Sequence, residues 1–323
     1  MTVLQSESRS AVDKSPTPEF DQRCDVVLIA WGHGQLPFRD AVEQVGVYRE
    51  EAIKSKHLAN QACAEHTLGI LQGHRGNSED SIAHFNRALI LYRQLDNPAK
   101  IARIELNLGI NYFYQDEQER GLELMRVAAT TAQKLGDLSL QIVARYNEAT
   151  FLIDLERYSS AYQRLEAVLI LAKNWEGGIP SKGELIGTGH SDLALLSHKL
   201  GWDHLAWEHI AIARRIAEQG EHVIALGHVH LALGELFTDC KVSPDPTLSP
   251  DPDTHFRKAI TLFCRVDAEA YVARALSTQA RSLATRGERV SAVHKFRQAM
   301  LIFSRLGMIH FAAQAAEAQL KLL

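Results

Sequence analysis

Fifteen histidines, four cysteines and a scatter of asparagine and arginine are the residues of this 323-residue chain best suited to chemistry. A zinc site asks for Cys or His ligands a few residues apart, or for two His at i and i+4 on one helix. His204 and His209 do not keep that spacing, nor do His222, His228 and His230, and Cys24, Cys63, Cys240 and Cys264 show neither metal-like nor redox-like spacing. The segment "GTGHSD" at 187–192 is the nearest approach to a glycine-rich phosphate loop. It lacks the lysine and the preceding strand that phosphate binding needs. No nucleophile–base arrangement is readable, so neither catalysis, a metal nor a cofactor is expected. What remains is recognition chemistry. Asn107 and Asn147 lie forty residues apart, and a side-chain amide offers the donor and the acceptor that match a peptide unit. Arg103 and Arg274 could hold carboxylates.

Composition agrees with a binding role. The chain is 46% hydrophobic and 23% charged, ordinary for a water-soluble domain. No apolar run reaches the length of a membrane-spanning helix. The first twenty residues have no apolar core and read as a disordered tail, not a secretory signal. Reduced thiols imply a cytoplasmic protein. The net charge of −4 is unevenly spread: residues 256–323 hold eleven Lys or Arg against four Asp or Glu, so they carry +7 and the preceding 255 carry −11. Such polarity suits an acidic protein or peptide partner, or head-to-tail self-association. An acidic whole with few aromatics at its basic end argues against nucleic acid.

The elements that must position these residues repeat. "ARIELNLGINYFYQDEQERGLELMRVAATTAQKLGD" (102–137) reads as two amphipathic helices, and relatives of it run from "ACAEHTLGILQG" to "ARALSTQARSLATRGERVSAVHKFRQAMLIFSRLG". A small residue marks each first helix at Gly69, Gly109, Ala149, Ala194, Gly234 and Ala280, and each second helix at Ala88, Ala128, Val168, Ala213, Ala259 and Ala299. The common step is 40 residues. Five extra residues fall in "NWEGGIPSKG" and six in "CKVSPDPTLSPDPDT", where Gly and Pro oppose helix. The second of these is expected to be an exposed, mobile loop. A large apolar residue stands three before each second marker: Phe85, Met125, Leu165, Ile210, Phe256 and Phe296. A fixed period of this kind implies a solenoid in which each helix pair buries its apolar face on its neighbours.

With Leu108, Gly109, Tyr112 and Ala128, and later Ala161 and Ala292, the repeat resembles the tetratricopeptide repeat in a long-helix variant, like that of bacterial peptide-sensing regulators and polarity-type adaptors. The resemblance covers residues 57–307. It implies an all-α, right-handed superhelix of stacked antiparallel helix pairs: one domain over 21–323, with a degenerate first pair at 21–55, six repeats at 57–307 and a capping helix at 308–323. Glu148, Gln279 and Pro252 depart from the pattern. In the resembled family first helices line the concave face. The resemblance therefore places there Arg103, Asn107, Ile110 and Phe113; Val143, Tyr146, Asn147 and Thr150; Ser191, Asp192 and His198; His228 and Glu235; and Arg274, Ser277 and Arg281. An asparagine at the position of Asn107 and Asn147 clamps an extended ligand's backbone in peptide-binding members. The lysines of the co-chaperone carboxylate clamp are missing. The resemblance implies a non-catalytic scaffold for a protein or peptide. Self-association and intracellular sensing of a peptide or small molecule remain as alternatives.

Overall fold

A computed structural model describes residues 14–32, 35–75, 77–176, 181–240, 243–266 and 268–323. Among these, all regular structure is helical: α1 (Pro18–Gly32), α2 (Phe38–Lys54), α3 (Leu58–His74), α4 (Ser78–Gln94), α5 (Pro98–Tyr114), α6 (Gln118–Leu135), α7 (Leu138–Asp154) and α8 (Tyr158–Ala172). They are followed by α9 (Lys182–Lys199), α10 (Asp203–Gln219), α11 (Val223–Asp239), α12 (Pro252–Arg265), α13 (Glu269–Thr285), α14 (Arg289–Arg305) and α15 (Ile309–Leu320). Each odd-numbered helix from α3 to α13 packs antiparallel on the next even one, and each pair packs on the pair that follows.

Local chemistry starts and stops these helices. Asn97, Asp137, Ser181 and Asp251 accept hydrogen bonds from backbone N–H groups of the first turns of α5, α7, α9 and α12, which satisfies donors the helix leaves free. Pro98 and Pro252 occupy first-turn positions, where a missing N–H costs nothing. Pro252 thus opens α12 rather than interrupting it. At the other ends the chain turns through the left-handed region, at Gly136 with φ 71° but also at Lys56, Asp96, Asp116, Glu156 and Glu221.

Small and large residues interlock where helices cross. A Cβ on Gly69 would meet the Phe85 ring at 2.6 Å, and one on Gly109 would meet the Gly121 carbonyl oxygen at 2.9 Å. Phe85, Met125, Leu165, Ile210, Phe256 and Phe296 are all buried, each contributing about 1.5–3 kcal/mol of hydrophobic stabilisation. The departures from pattern are paired polar groups. Buried Glu148 accepts from Arg126 Nε at 3.1 Å and is bridged to Arg164 Nε at 2.9 Å. Gln279 donates to Asp253 at 2.9 Å.

Two segments expected to be loose are anchored where they are described. Lys14 offers its carbonyl to Asn97 Nδ2 at 2.8 Å, and the Thr17 N–H donates to Asn60 Oδ1 at 2.9 Å. Residues 1–13 of the expected tail lie outside the described residues. In the proline-rich insertion, Asp245 pairs with Arg214 at 2.7 Å, Leu248 packs on the core of α9–α11 and the Ser249 carbonyl accepts from His255 Nε2 at 2.9 Å. Asx-type turns at Asp245 and Asp251 add hydrogen bonds that composition alone does not display.

Candidate functional site

A chain of side-chain contacts between residues far apart in sequence joins the odd-numbered helices from α5 to α15, and the surface they share is here the inner face. Tyr146 of α7 donates its hydroxyl to Asp192 Oδ2 of α9 at 2.7 Å. The other Asp192 oxygen lies 3.7 Å from His228 Nδ1 of α11, whose ring meets Tyr271 of α13 edge-on at 5.0 Å. One turn further along α13, Arg274 reaches across to Asp154 of α7 and stacks over Phe311 of α15, 5.3 Å from the ring centroid. Phe311 packs in turn on Tyr114 and Phe113 of α5. The circuit closes because α15 packs on α5 as well as on α14. Gln115 Nε2 donates to the Gly307 carbonyl at 3.0 Å, and His310 Nδ1 lies 2.8 Å from Asp116. The last helix does more than cover an open end: it joins the end of the inner face to α5.

Burial sets the protonation of this face. It pushes the Tyr114 phenol up to about 12 and raises Tyr271 as well. Burial, reinforced by Asp192, lifts Tyr146 well above the usual phenol range. All three are neutral hydroxyls near pH 7. Burial opposes the Arg274 cation, but Asp154, Tyr114 and Tyr271 outweigh it and hold the guanidinium above its ordinary value. Burial also raises the Glu184 carboxyl, against the pull of His222 and His228. Two buried polar atoms of the circuit, Asp154 Oδ2 and His228 Nε2, have no hydrogen-bond partner among the described residues. The carboxylate oxygen is an acceptor, and an imidazole nitrogen donates or accepts according to its tautomer.

The structure gathers four of the residues anticipated from sequence, Tyr146, Asp192, His228 and Arg274, into this circuit. Phe113 lies on the right helix but is fully buried, stacked on Phe151 at 3.7 Å. Arg103 donates to Asp137 at 2.8 Å. The Asn107 amide is bonded to His66 Nε2 at 2.8 Å, and Asn147 donates to the Val143 carbonyl of its own helix at 2.9 Å. Thr150 donates to the Asn147 carbonyl, and exposed Arg281 to Thr278 Oγ1. His198 stands apart at the end of α9, between Asp203 and Asp239. Sequence reasoning missed Tyr114, Asp154, Tyr271 and Phe311. A signal existed for two of them: Asp154 extends the i, i+4 stripe Tyr146–Thr150, and Tyr271 precedes Arg274 by one turn.

No protein-family model matches the chain, and no curated protein matches it. Solved structures do. The apo form of RapI aligns with a TM-score of 0.69 at 13% identity, over 89% of this chain and 98% of that one. Aspartyl phosphate phosphatase F from Bacillus subtilis aligns at 0.69 and 12% identity, over 88% and 68%. A Rap protein complexed with competence and sporulation factor aligns at 0.60 and 13% identity, over 94% and 84%. At such identities the likeness is one of fold, and the chain shares the tetratricopeptide-like, all-α superhelical fold of these proteins.

Proposed function

We propose that the protein is a non-catalytic scaffold that binds an extended peptide or protein segment on its inner face, in the cytoplasm. The observation that carries this reading is the pair of buried polar atoms without a partner among the described residues, Asp154 Oδ2 and His228 Nε2, set among the Tyr114, Tyr146 and Tyr271 side chains. A buried polar atom without a partner costs about 1–3 kcal/mol, and peptide N–H groups would remove that cost. The neutral Tyr114 and Tyr271 hydroxyls and Arg274 supply donors for peptide carbonyls or acidic side chains. That a Rap protein of this fold is complexed with competence and sporulation factor supports the reading. The +7 charge of residues 256–323 favours an acidic partner. A second reading, self-association, is supported by the 86% and 58% exposure of Val290 and Leu301 on basic α14.

Selection from a displayed peptide library, followed by calorimetry on the winners, tests the proposal. Tyr146→Phe and Asp192→Asn should each weaken binding by about 1–3 kcal/mol. Asn107→Ala and Asn147→Ala should cost less, since their amides already bond within the protein. Arg281→Ala should matter only for acidic peptides and less in high salt. Failure to select any peptide, or selected peptides indifferent to Tyr146 and Asp192, would overturn the reading. Light scattering at low and high salt tests self-association.

A further inference from the structure

Away from the inner face, the ends of three helices converge on one imidazole. His198 lies in the last turn of α9, Asp203 is the first residue of α10, Asp239 is the last of α11 and Cys240 follows it. His198 Nδ1 is 2.7 Å from Asp203 Oδ1, and its Nε2 is 3.0 Å from Asp239 Oδ2. An imidazole nitrogen of His198, an Asp203 oxygen and the Cys240 sulfur all lie within 4.8 Å of one another. The His198 side chain is only 11% exposed. Cys240 is a free thiol, and the neighbouring cation Lys199 is directed to Glu235 at 3.4 Å. Two carboxylates and a thiol thus meet a single imidazole. The C-terminal ends of α9 and α11 add the partial negative charge of free carbonyls.

We propose that His198, Asp203 and Cys240 form a binding site for Zn²⁺, with Asp239 as the positioning residue. A neutral imidazole has one N–H and one lone pair. The ion displaces to solvent the Nδ1 proton that faces Asp203 and the Cys240 thiol proton; Nδ1 then gives its lone pair to the metal beside Asp203 and the Cys240 thiolate, while the Nε2 proton stays on Asp239's side as a hydrogen bond. A metal-bound histidine held by a carboxylate is the usual arrangement. The mixed N, O and S donors suit zinc and exclude magnesium or calcium, which take oxygen ligands. Ligand atoms around zinc sit roughly 3.3–3.8 Å apart, so His198 Nδ1 and Asp203 Oδ1, now 2.7 Å apart, open slightly and the Cys240 sulfur, within 4.8 Å, draws in, both through side-chain rotation. Asp203 is 55% exposed, leaving a fourth position for water. The ion ties the α9–α10 pair to the end of α11 and stiffens the superhelix at that joint.

Titration of the chelator-treated full-length protein with Co²⁺ tests this directly. The expected result is one equivalent bound, with visible bands of four-coordinate cobalt and a near-ultraviolet thiolate band, both displaced by Zn²⁺. Cys240→Ser should abolish the thiolate band and weaken Zn²⁺ binding at least tenfold. Cys264→Ser, which alters the exposed thiol elsewhere, should leave both unchanged. Asp239→Asn should keep the band and weaken binding roughly 10–100-fold. Circular dichroism confirms that each variant is folded. Absence of the thiolate band in the parent protein, or its persistence in folded Cys240→Ser, overturns the proposal.

Discussion

The Arg274 guanidinium of α13 is paired with the Asp154 carboxylate of α7, 120 residues earlier in the chain, and the two side chains are 26% and 9% exposed. Removing one partner strands the other charge in a poorly hydrated place. Arg274→Ala should therefore destabilise the fold by about 2–4 kcal/mol, below the full cost of a dry pair because Arg274 keeps some water. The double change Arg274→Met with Asp154→Leu should recover most of that loss. Urea melts of the parent, Arg274→Met, Asp154→Leu and the double variant measure the coupling.

Stability should fall in acid in two separate windows. His190 packs on His209 with Nδ1 atoms 3.1 Å apart, and His230 on His255 at the same distance. Burial, then the partner imidazole, brings His190 down to about 4. Burial, then His255, Lys258 and Arg214, does the same to His230. Burial also lowers His209, facing Glu166 and Glu208, and His255, facing Lys258 and Asp251. These bases bind protons more readily unfolded, so their contribution is complete above about pH 6.5 and drains away as pH falls towards 4. Glu65 acts lower. Burial disfavours its charge, but hydrogen bonds from His84, Arg87 and Arg49 prevail and hold its carboxyl at about 2. Its contribution is intact above about pH 4.5 and lost as pH falls towards 2. Burial also brings His66 down to about 3 and lowers His74, so thermal melts from pH 7 to 3 should show the upper window shallower, but still present, in His190→Gln with His230→Gln, and the Glu65 contribution unchanged.

Glycines should divide by what surrounds them. Nothing lies within 4 Å of a Cβ added to Gly46, inside α2, so Gly46→Ala should stabilise by about 0.5–1 kcal/mol through helix propensity. Gly109→Ala drives its methyl at the Gly121 carbonyl oxygen and should cost about 1–3 kcal/mol. Melting temperatures moving in opposite directions would bear this out.

The closure of α15 on α5 should be separable from the rest of the fold. Phe311 is 6% exposed and touches Phe113, Tyr114 and Phe303. Phe311→Ala should cost about 3–5 kcal/mol locally, speed amide exchange throughout α15 and enlarge the radius of gyration in solution scattering. Unchanged exchange in α15 would show that packing on α14 alone holds it.

Much of this architecture is legible in one sequence because a solenoid's contacts are local. Gly69 and Gly109 and the large side chains that meet them, Phe85 and Met125, recur at the same offset of sixteen residues, and that recurrence is the packing rule itself. The circuit of Tyr146, Asp192, His228 and Arg274 was visible only as separate polar positions. What unites them is accumulated superhelical rotation, which brings residue 274 to residue 154 and depends on pitch, a quantity no periodicity records. Asn107 and Asn147 were read as free amides because spacing cannot show that His66 and the Val143 carbonyl already engage them. His198, Asp203 and Cys240 are spread over forty-two residues, and only the stacking of successive helix pairs sets them side by side.

A solenoid open at both ends tolerates the gain or loss of a unit, since each unit answers only to its neighbours. The contact of α15 with α5 removes that freedom. One more repeat between α5 and α15 would carry α15 past its seat, and one fewer would leave it short, so the repeat number of that stretch becomes a geometric constant like the strand number of a closed barrel. Stability there is no longer a sum along the chain, because damage at α15 is felt at α5.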